Sequence, residues 1–125
     1  MIDANLILDK AQIKEKTKVA HLGCGSSGHF VFPSARRVGK KGVVYAVDIL
    51  RTVLETMNKR ARIENLANIK IVWTNLEIFG ATKIETGSLD AALLINVLYQ
   101  SHKRLEILRE SIRLFRQLLN EIDKQ

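Results

Sequence analysis

The chain has 125 residues, of which 46% are apolar, and it carries a formal net charge of +7. This length suggests one domain, and the apolar content supports a folded core and excludes a disordered chain. The single cysteine, Cys24, excludes an intrachain disulfide and a cysteine-based zinc cluster, which fits a reducing, cytoplasmic setting. No apolar run reaches the roughly 18–20 residues that span a bilayer, and the amino terminus lacks the features of a signal peptide.

Apolar runs and turn residues predict helices and strands that alternate along the chain. A short leading helix is expected at about 3–13, before a charged turn. We predict strands at 19–22, 43–47, 69–73 and about 89–96, with helices at about 28–38, 50–64 and 103–122. This order indicates right-handed crossovers and a mostly parallel sheet with helices on both faces, a three-layer α/β/α sandwich.

The last predicted helix carries apolar residues at three- and four-residue steps, which indicates one buried stripe. The stripe consists of Leu105, Leu108, Ile112, Phe115, Leu119 and Ile122. Four arginines of this helix lie mostly outside the stripe, so we expect them on a solvated face. These arginines are Arg104, Arg109, Arg113 and Arg116.

The segment after the first strand is the most informative part of the sequence. It places Gly23, Gly25 and Gly28 in the spacing G-x-G-x-x-G between a strand and a helix. Glycines let the backbone approach a ligand closely, and the start of the helix offers unpaired N–H groups. Asp48 ends the second strand, where its carboxylate can accept hydrogen bonds from two ribose hydroxyls. Together these features predict a site for a nucleotide-like ligand.

The chain resembles the class I S-adenosylmethionine-dependent methyltransferases, and looks closest to the small type of ubiquinone and menaquinone biosynthesis. Three segments carry the resemblance, which covers about residues 5 to 118. The segments are His21-Leu-Gly-Cys-Gly-Ser-Ser-Gly-His-Phe30, Tyr45-Ala-Val-Asp-Ile49 and Gly87-Ser-Leu-Asp-Ala-Ala-Leu-Leu-Ile-Asn-Val-Leu98. The resemblance implies a Rossmann-like domain over residues 1–125 with strands 1–4 of the methyltransferase fold. It also implies that the domain is truncated and lacks the C-terminal strands of the family.

The resemblance further implies S-adenosylmethionine as the cofactor and methyl transfer by direct displacement. Gly23, Cys24 and Gly25 match the positions that line the methionine and ribose part of the cofactor. Asp48 matches the residue that holds the ribose hydroxyls. Because the sulfonium is its own leaving group, the protein mainly aligns the acceptor and excludes water, and no catalytic side chain is predicted.

Other matching positions lie along the carboxyl ends of later strands. The resemblance implies that Ile49 packs against the adenine and that Asn75, with Leu76 beside it, stands at the position that contacts the adenine amino group. It places Asn96 beside the methyl group at the end of the fourth strand.

Four further residues receive an interpretation of their own. Tyr99 and Gln100 follow the fourth strand and are the candidate contacts for the methyl acceptor. His21 stands where the family usually has an acid, and we expect it to be packed and hydrogen-bonded within its strand. For Trp73, contact with the cofactor and packing on neighbouring helices both stay open. The three histidines share no metal-ligand spacing, so no metal site is predicted.

Two alternative functions remain open at this point. The glycine pattern also matches the dinucleotide fingerprint, so a dinucleotide competes with S-adenosylmethionine. The chain is alternatively an inactive cofactor-binding module, or one that binds RNA, because a basic surface attracts polyanions. A small-molecule methyl acceptor is the partner we expect first. An open edge at strand four would also favour self-association through that strand or the last helix.

Overall fold

The structure is a computed structural model that describes residues 3–94 and 102–115. Its elements follow the predicted order of helices and strands. They are α1 (Ala4–Lys10), β1 (Lys18–Leu22), α2 (Val31–Val38), β2 (Val43–Asp48), α3 (Arg51–Ile63), β3 (Ile69–Trp73), β4 (Ala91–Leu93) and α4 (Arg104–Leu114). Within the described residues, every helix is too short or too polar to cross a membrane.

The strands form one sheet in the order β3-β2-β1-β4, and every neighbouring pair is parallel. The pairing sets Leu22 opposite Val47 and His21 opposite Leu93. Since β2 lies on one side of β1 and β4 on the other, the order of the strands reverses at β1. Ligands of open α/β sheets bind outside the carboxyl ends of the strands at such a reversal. The turn after β1 is therefore at the place where this architecture forms binding sites.

Two apolar cores hold the helices against the sheet. Leu8, Phe32 and Met57, from α1, α2 and α3, are buried together in one of them. The other is built from residues of α4 and the opposite face of the sheet, including Leu22 and Ile107. Each fully buried side chain of this size stabilises the fold by roughly 1.5–3 kcal/mol. The predicted three-layer α/β/α arrangement is thus confirmed for the described residues.

Two helix boundaries differ from the prediction because of left-handed backbone. The leading helix ends at Lys10 and not near residue 13, since Gln12 has a φ of 58°. The second helix begins at Val31, after Gly28, whose φ of 70° does not belong to a right-handed helix. Ile13, beyond the end of the helix, is nevertheless buried in the core, whereas Leu6 within the helix is exposed.

The prediction for the last helix is wrong at its end, in its buried face and for Arg113, whose side chain is only 13% exposed because it pairs with Glu110. The helix ends at Leu114, and Phe115 is extended and forms a parallel bridge with Leu89. Leu105, Leu108 and Ile112 of the predicted stripe are exposed. The buried residues of the helix are Ile107, Glu110, Ser111 and Leu114. Residues 116–125 lie outside the described part of the chain.

Candidate functional site

The turn that leaves β1 has the backbone shape that only glycine adopts without strain. Gly23, Gly25 and Gly28 have φ values of 74°, 67° and 70°. The N–H groups of Gly23 and Cys24 both donate to the carbonyl oxygen of Val47, at 2.8 and 2.9 Å. These bonds tie the beginning of the turn to the end of β2.

Asp48 joins the glycine turn to the next loop. Its Oδ2 accepts from the backbone N–H of Gly25 at 3.2 Å, and its Oδ1 accepts from the N–H of Leu50 at 3.0 Å. A carboxylate has about four acceptor positions, so each oxygen keeps one for a ligand. A Cβ atom placed on Gly25 would meet nothing within 4 Å. The glycine turn after β1 and the acidic end of β2 therefore meet, as the sequence suggested, and open space lies beside Gly25.

Cys24 lies within this turn as a partly buried thiol. Burial, and then the negative charge of Asp48, raise the pKa of the thiol to about 12. Its sulfur is therefore protonated at neutral pH and is a poor nucleophile. Cys24 is thus a small residue that fits the turn and is not a reactive thiol.

Arg60 of α3 holds the outer part of the same turn, a role that its sequence context did not reveal. Its Nη1 donates to the carbonyl oxygens of Ser26 and Ser27, at 3.2 and 2.5 Å. Its guanidinium carbon lies 4.5 Å from the centroid of the Phe32 ring, a cation–π contact. The signal in the sequence was weak: Arg60 directly precedes buried Ala61, at the border of the buried face of α3.

His21 is a packed, hydrogen-bonded residue of β1, as predicted. Its Nε2 and the Oγ of Ser34 on α2 lie 2.9 Å apart, and both residues are buried. Burial lowers the pKa of the imidazole to about 4. The ring is therefore neutral at neutral pH, and no charged acid–base role is assigned to it.

The loops after β2 and β3 form an apolar border beside Asp48. Ile49 and Trp73 are both about half exposed, and the indole Nε1 donates to the carbonyl oxygen of Ile49 at 2.8 Å. The Oδ1 of Asn75 accepts from the N–H of Glu77 at 2.9 Å and keeps a second lone pair. The side chain of Leu76 is buried in the core shared with α4. Ile49, which directly follows Asp48, therefore offers exposed apolar surface beside the carboxylate.

Three of the candidate residues, Asn96, Tyr99 and Gln100, lie outside the described part of the chain. Their roles beside the methyl group and at the acceptor stay predictions. Among residues 3–94 and 102–115, no group of three or more His, Cys, Asp or Glu side chains could hold a metal ion.

The fold is a parallel α/β domain in which the glycine turn and the Asp48 carboxylate meet at the carboxyl ends of the strands. The methyltransferase domain family matches residues 13–120, and the chain belongs to that family. The family and the described strands fit the coarser part of the resemblance, a class I methyltransferase.

Individual relatives extend this finding. Aklanonic acid methyltransferase DauC of Streptomyces sp. (strain C5) is 35% identical over 63 residues, which are 50% of this chain and 28% of that protein. The structure of a SAM-dependent methyltransferase from Aquifex aeolicus has a TM-score of 0.81 at 20% identity, over 90% of this chain and 58% of the other. Coclaurine N-methyltransferase, bound to N-methylheliamine and SAH, has a TM-score of 0.77 at 24% identity, over 90% and 31%. The chain thus spans only part of each relative, and the solved structures establish a shared fold.

Proposed function

We propose that this domain binds S-adenosylmethionine at the turn after β1 and transfers its methyl group to a small-molecule acceptor. The observation that carries the proposal is the hydrogen bond from the Gly25 N–H to the Asp48 carboxylate. The bond joins a backbone segment that a ligand can approach closely to a carboxylate that can accept from ribose hydroxyls. Both lie at the point where the strand order reverses. Membership of the methyltransferase domain family supports the choice of ligand.

The residues present fit this cofactor. Beside Gly25 the backbone faces open space, so an atom of the ligand can reach it without a side chain in the way. The remaining acceptor positions of Asp48 suit two neighbouring hydroxyls, and Ile49 offers apolar surface to the base. Gly23 and Cys24 shape the turn and hold it against β2. Asn75 offers an acceptor for the adenine amino group.

When bound, S-adenosylmethionine would supply a methyl group activated by its sulfonium, which is its own leaving group. The chain's own residues contribute binding and orientation. His21 and Cys24 are both neutral at neutral pH, because burial lowers the pKa of the imidazole to about 4 and raises that of the thiol to about 12.

The proposed acceptor is a small molecule, and the support is the relation to an aklanonic acid methyltransferase. We also propose that Tyr99 and Gln100 contact the acceptor. The proposal further includes a cytoplasmic location and self-association through the edge of β4.

Isothermal titration of the purified chain with S-adenosylmethionine, S-adenosylhomocysteine and NAD⁺ tests the proposal. We expect micromolar binding of the first two and none of NAD⁺. Replacement of Asp48 by Ala should weaken binding at least about tenfold, because hydrogen bonds to a charged group contribute roughly 1.5–3 kcal/mol. Glu55→Ala, which removes an exposed carboxylate of α3, is the matched control and should bind like the wild type. Tighter binding of NAD⁺, or no binding by a folded protein, contradicts the proposal.

A second candidate function, RNA binding, is favoured by lysines at the opposite end of the sheet. The loop before β1 and the turn before β2 are joined by a hydrogen bond from the Lys16 N–H to the Val38 carbonyl, at 2.9 Å. The two segments carry exposed Lys14, Lys16, Lys40 and Lys41. Filter binding of RNA across a salt series tests this function. Real binding should weaken steeply as salt rises, and a flat, weak signal would exclude it.

A further inference from the structure

The indole of Trp73 is held at its N–H group by a hydrogen bond and at its ring face by a cation–π contact. It ends β3 opposite Asp48, and its Nε1 donates to the carbonyl oxygen of Ile49 at 2.8 Å. The guanidinium carbon of Arg51 lies 4.1 Å from the centroid of the ring. The side chain thus connects the end of β3 with the loop between β2 and α3.

That loop has few other constraints. The N-cap of α3, Leu50, makes no side-chain capping hydrogen bond. Arg51 is the first residue of the helix, where a positive charge opposes the helix dipole. The contact with the Trp73 ring compensates for this unfavourable position. The bond from the Leu50 N–H to the Asp48 carboxylate supplies a second attachment at 3.0 Å.

The position of Ile49 depends on these attachments. Its side chain is 50% exposed and directly follows Asp48. Because the Ile49 carbonyl is held by the indole, the apolar side chain is oriented before a ligand arrives. Orientation in advance lowers the ordering cost of binding.

We infer that Trp73 is a positioning residue for the base-binding end of the site, acting through the backbone of Ile49. The inference rests on the proposed function, since it assumes an adenine base beside Ile49. Trp73 acts without donating to the ligand, but because its indole is bonded to Ile49, a base that packs beside Ile49 also changes the surroundings of the ring. Arg51 belongs to the same unit, because its guanidinium lies over the face of the indole.

Binding of S-adenosylhomocysteine, measured by calorimetry, tests this inference in a double-mutant cycle. Trp73→Phe keeps a ring for Arg51 but removes the hydrogen-bond donor, and should weaken binding about 3- to 10-fold. Ile49→Ala should also weaken it. In the double variant the loss should be close to that of Ile49→Ala alone, since coupled residues are not additive. Ile63→Ala, at the far end of α3 and 80% exposed, is the control and should bind like the wild type.

The fluorescence of Trp73 supplies a second measurement, because it is the only tryptophan of the chain. Saturation of the wild type with S-adenosylhomocysteine should change its emission, with the midpoint found by calorimetry. Unchanged emission at saturation overturns the inference, even if Trp73→Phe does not fold. So does equal binding by a folded Trp73→Phe, or a loss that adds in full to that of Ile49→Ala. If the wild type does not bind at all, the proposed function fails first and the inference fails with it.

Discussion

The ring of Phe32 occupies the space where a side chain on Gly28 would begin. A Cβ atom at residue 28 would lie 2.1 Å from Cε2 and 2.2 Å from Cδ2 of that ring. Phe32 is itself buried in the core between α2 and the sheet. The last glycine of the turn is thus required by packing, whereas Gly25 faces open space.

Replacement of Gly28 by Ala should therefore destabilise the fold. The Phe32 ring would have to move within a packed core, which typically costs about 1–3 kcal/mol, and the positive φ adds strain. Urea denaturation measures the loss. Gly80→Ala is the matched control, because Gly80 has a φ of 80° and a Cβ atom added there would meet nothing within 4 Å. Equal losses in the two variants would show that the Phe32 contact is unimportant.

His21 should make the stability depend on pH between about 6.5 and 4. Burial lowers the pKa of the folded imidazole to about 4, whereas the unfolded imidazole titrates near 6.5. In this window the unfolded state binds more protons, so the free energy of unfolding falls as the pH falls, by up to about 3 kcal/mol. His21→Asn should be less stable at neutral pH but should lack this slope. An unchanged slope would contradict the assignment to His21.

A buried ion pair on α4 should also control stability in acid. Burial alone would raise the pKa of Glu110, but hydrogen bonds from Arg113 and from the N–H groups of Gly80 and Thr82 lower it to about 2. Four bonds of 2.7–2.9 Å surround the carboxylate. Its stabilisation is complete above about pH 4.5 and is lost as the pH falls towards 2.

Glu110→Gln tests the contribution of this ion pair, because it removes the negative charge and keeps the shape of the side chain. The change leaves the Arg113 guanidinium, only 13% exposed, without its counter-charge, and should cost about 3–5 kcal/mol at neutral pH. Thermal and urea unfolding measure the loss. Glu106→Gln on the same helix should change stability by no more than about 0.5 kcal/mol. If Glu110→Gln is as stable as the wild type, the pair does not hold the loop before β4 on α4.

The sequence predicted those elements whose local residue pattern matches their burial in the folded protein. The apolar run of β2 and the glycines of the turn can be recognised without knowledge of distant contacts. Asp48 is then identified as the acidic residue that ends the apolar run. The register Leu22–Val47 then brings Gly25 and Asp48 together, as the parallel sheet implied.

The errors on α4 have a common physical cause. Its apolar spacing continues past Leu114, but the helix turns a polar pair inward and leaves Leu108 and Ile112 exposed. Glu110 can be buried because Arg113 and two backbone N–H groups compensate its charge. The two N–H groups belong to a loop about 30 residues earlier, so an apolar pattern within the helix could not reveal them. Arg60 escaped notice, and the bond of Trp73 to Ile49 was not foreseen, for the same reason, since each side chain acts on a backbone carbonyl of another segment.

The most direct test of the site compares two glycine variants in the calorimeter. Gly25 and Gly80 have similar positive φ values, and both have open space around them. Gly25→Ala places a methyl group where the ligand is proposed to lie, whereas Gly80→Ala does not. The wild type and Gly80→Ala should bind S-adenosylhomocysteine with micromolar affinity, and a folded Gly25→Ala should lose at least tenfold. Equal binding by Gly25→Ala and Gly80→Ala would contradict the placement of the cofactor at this turn.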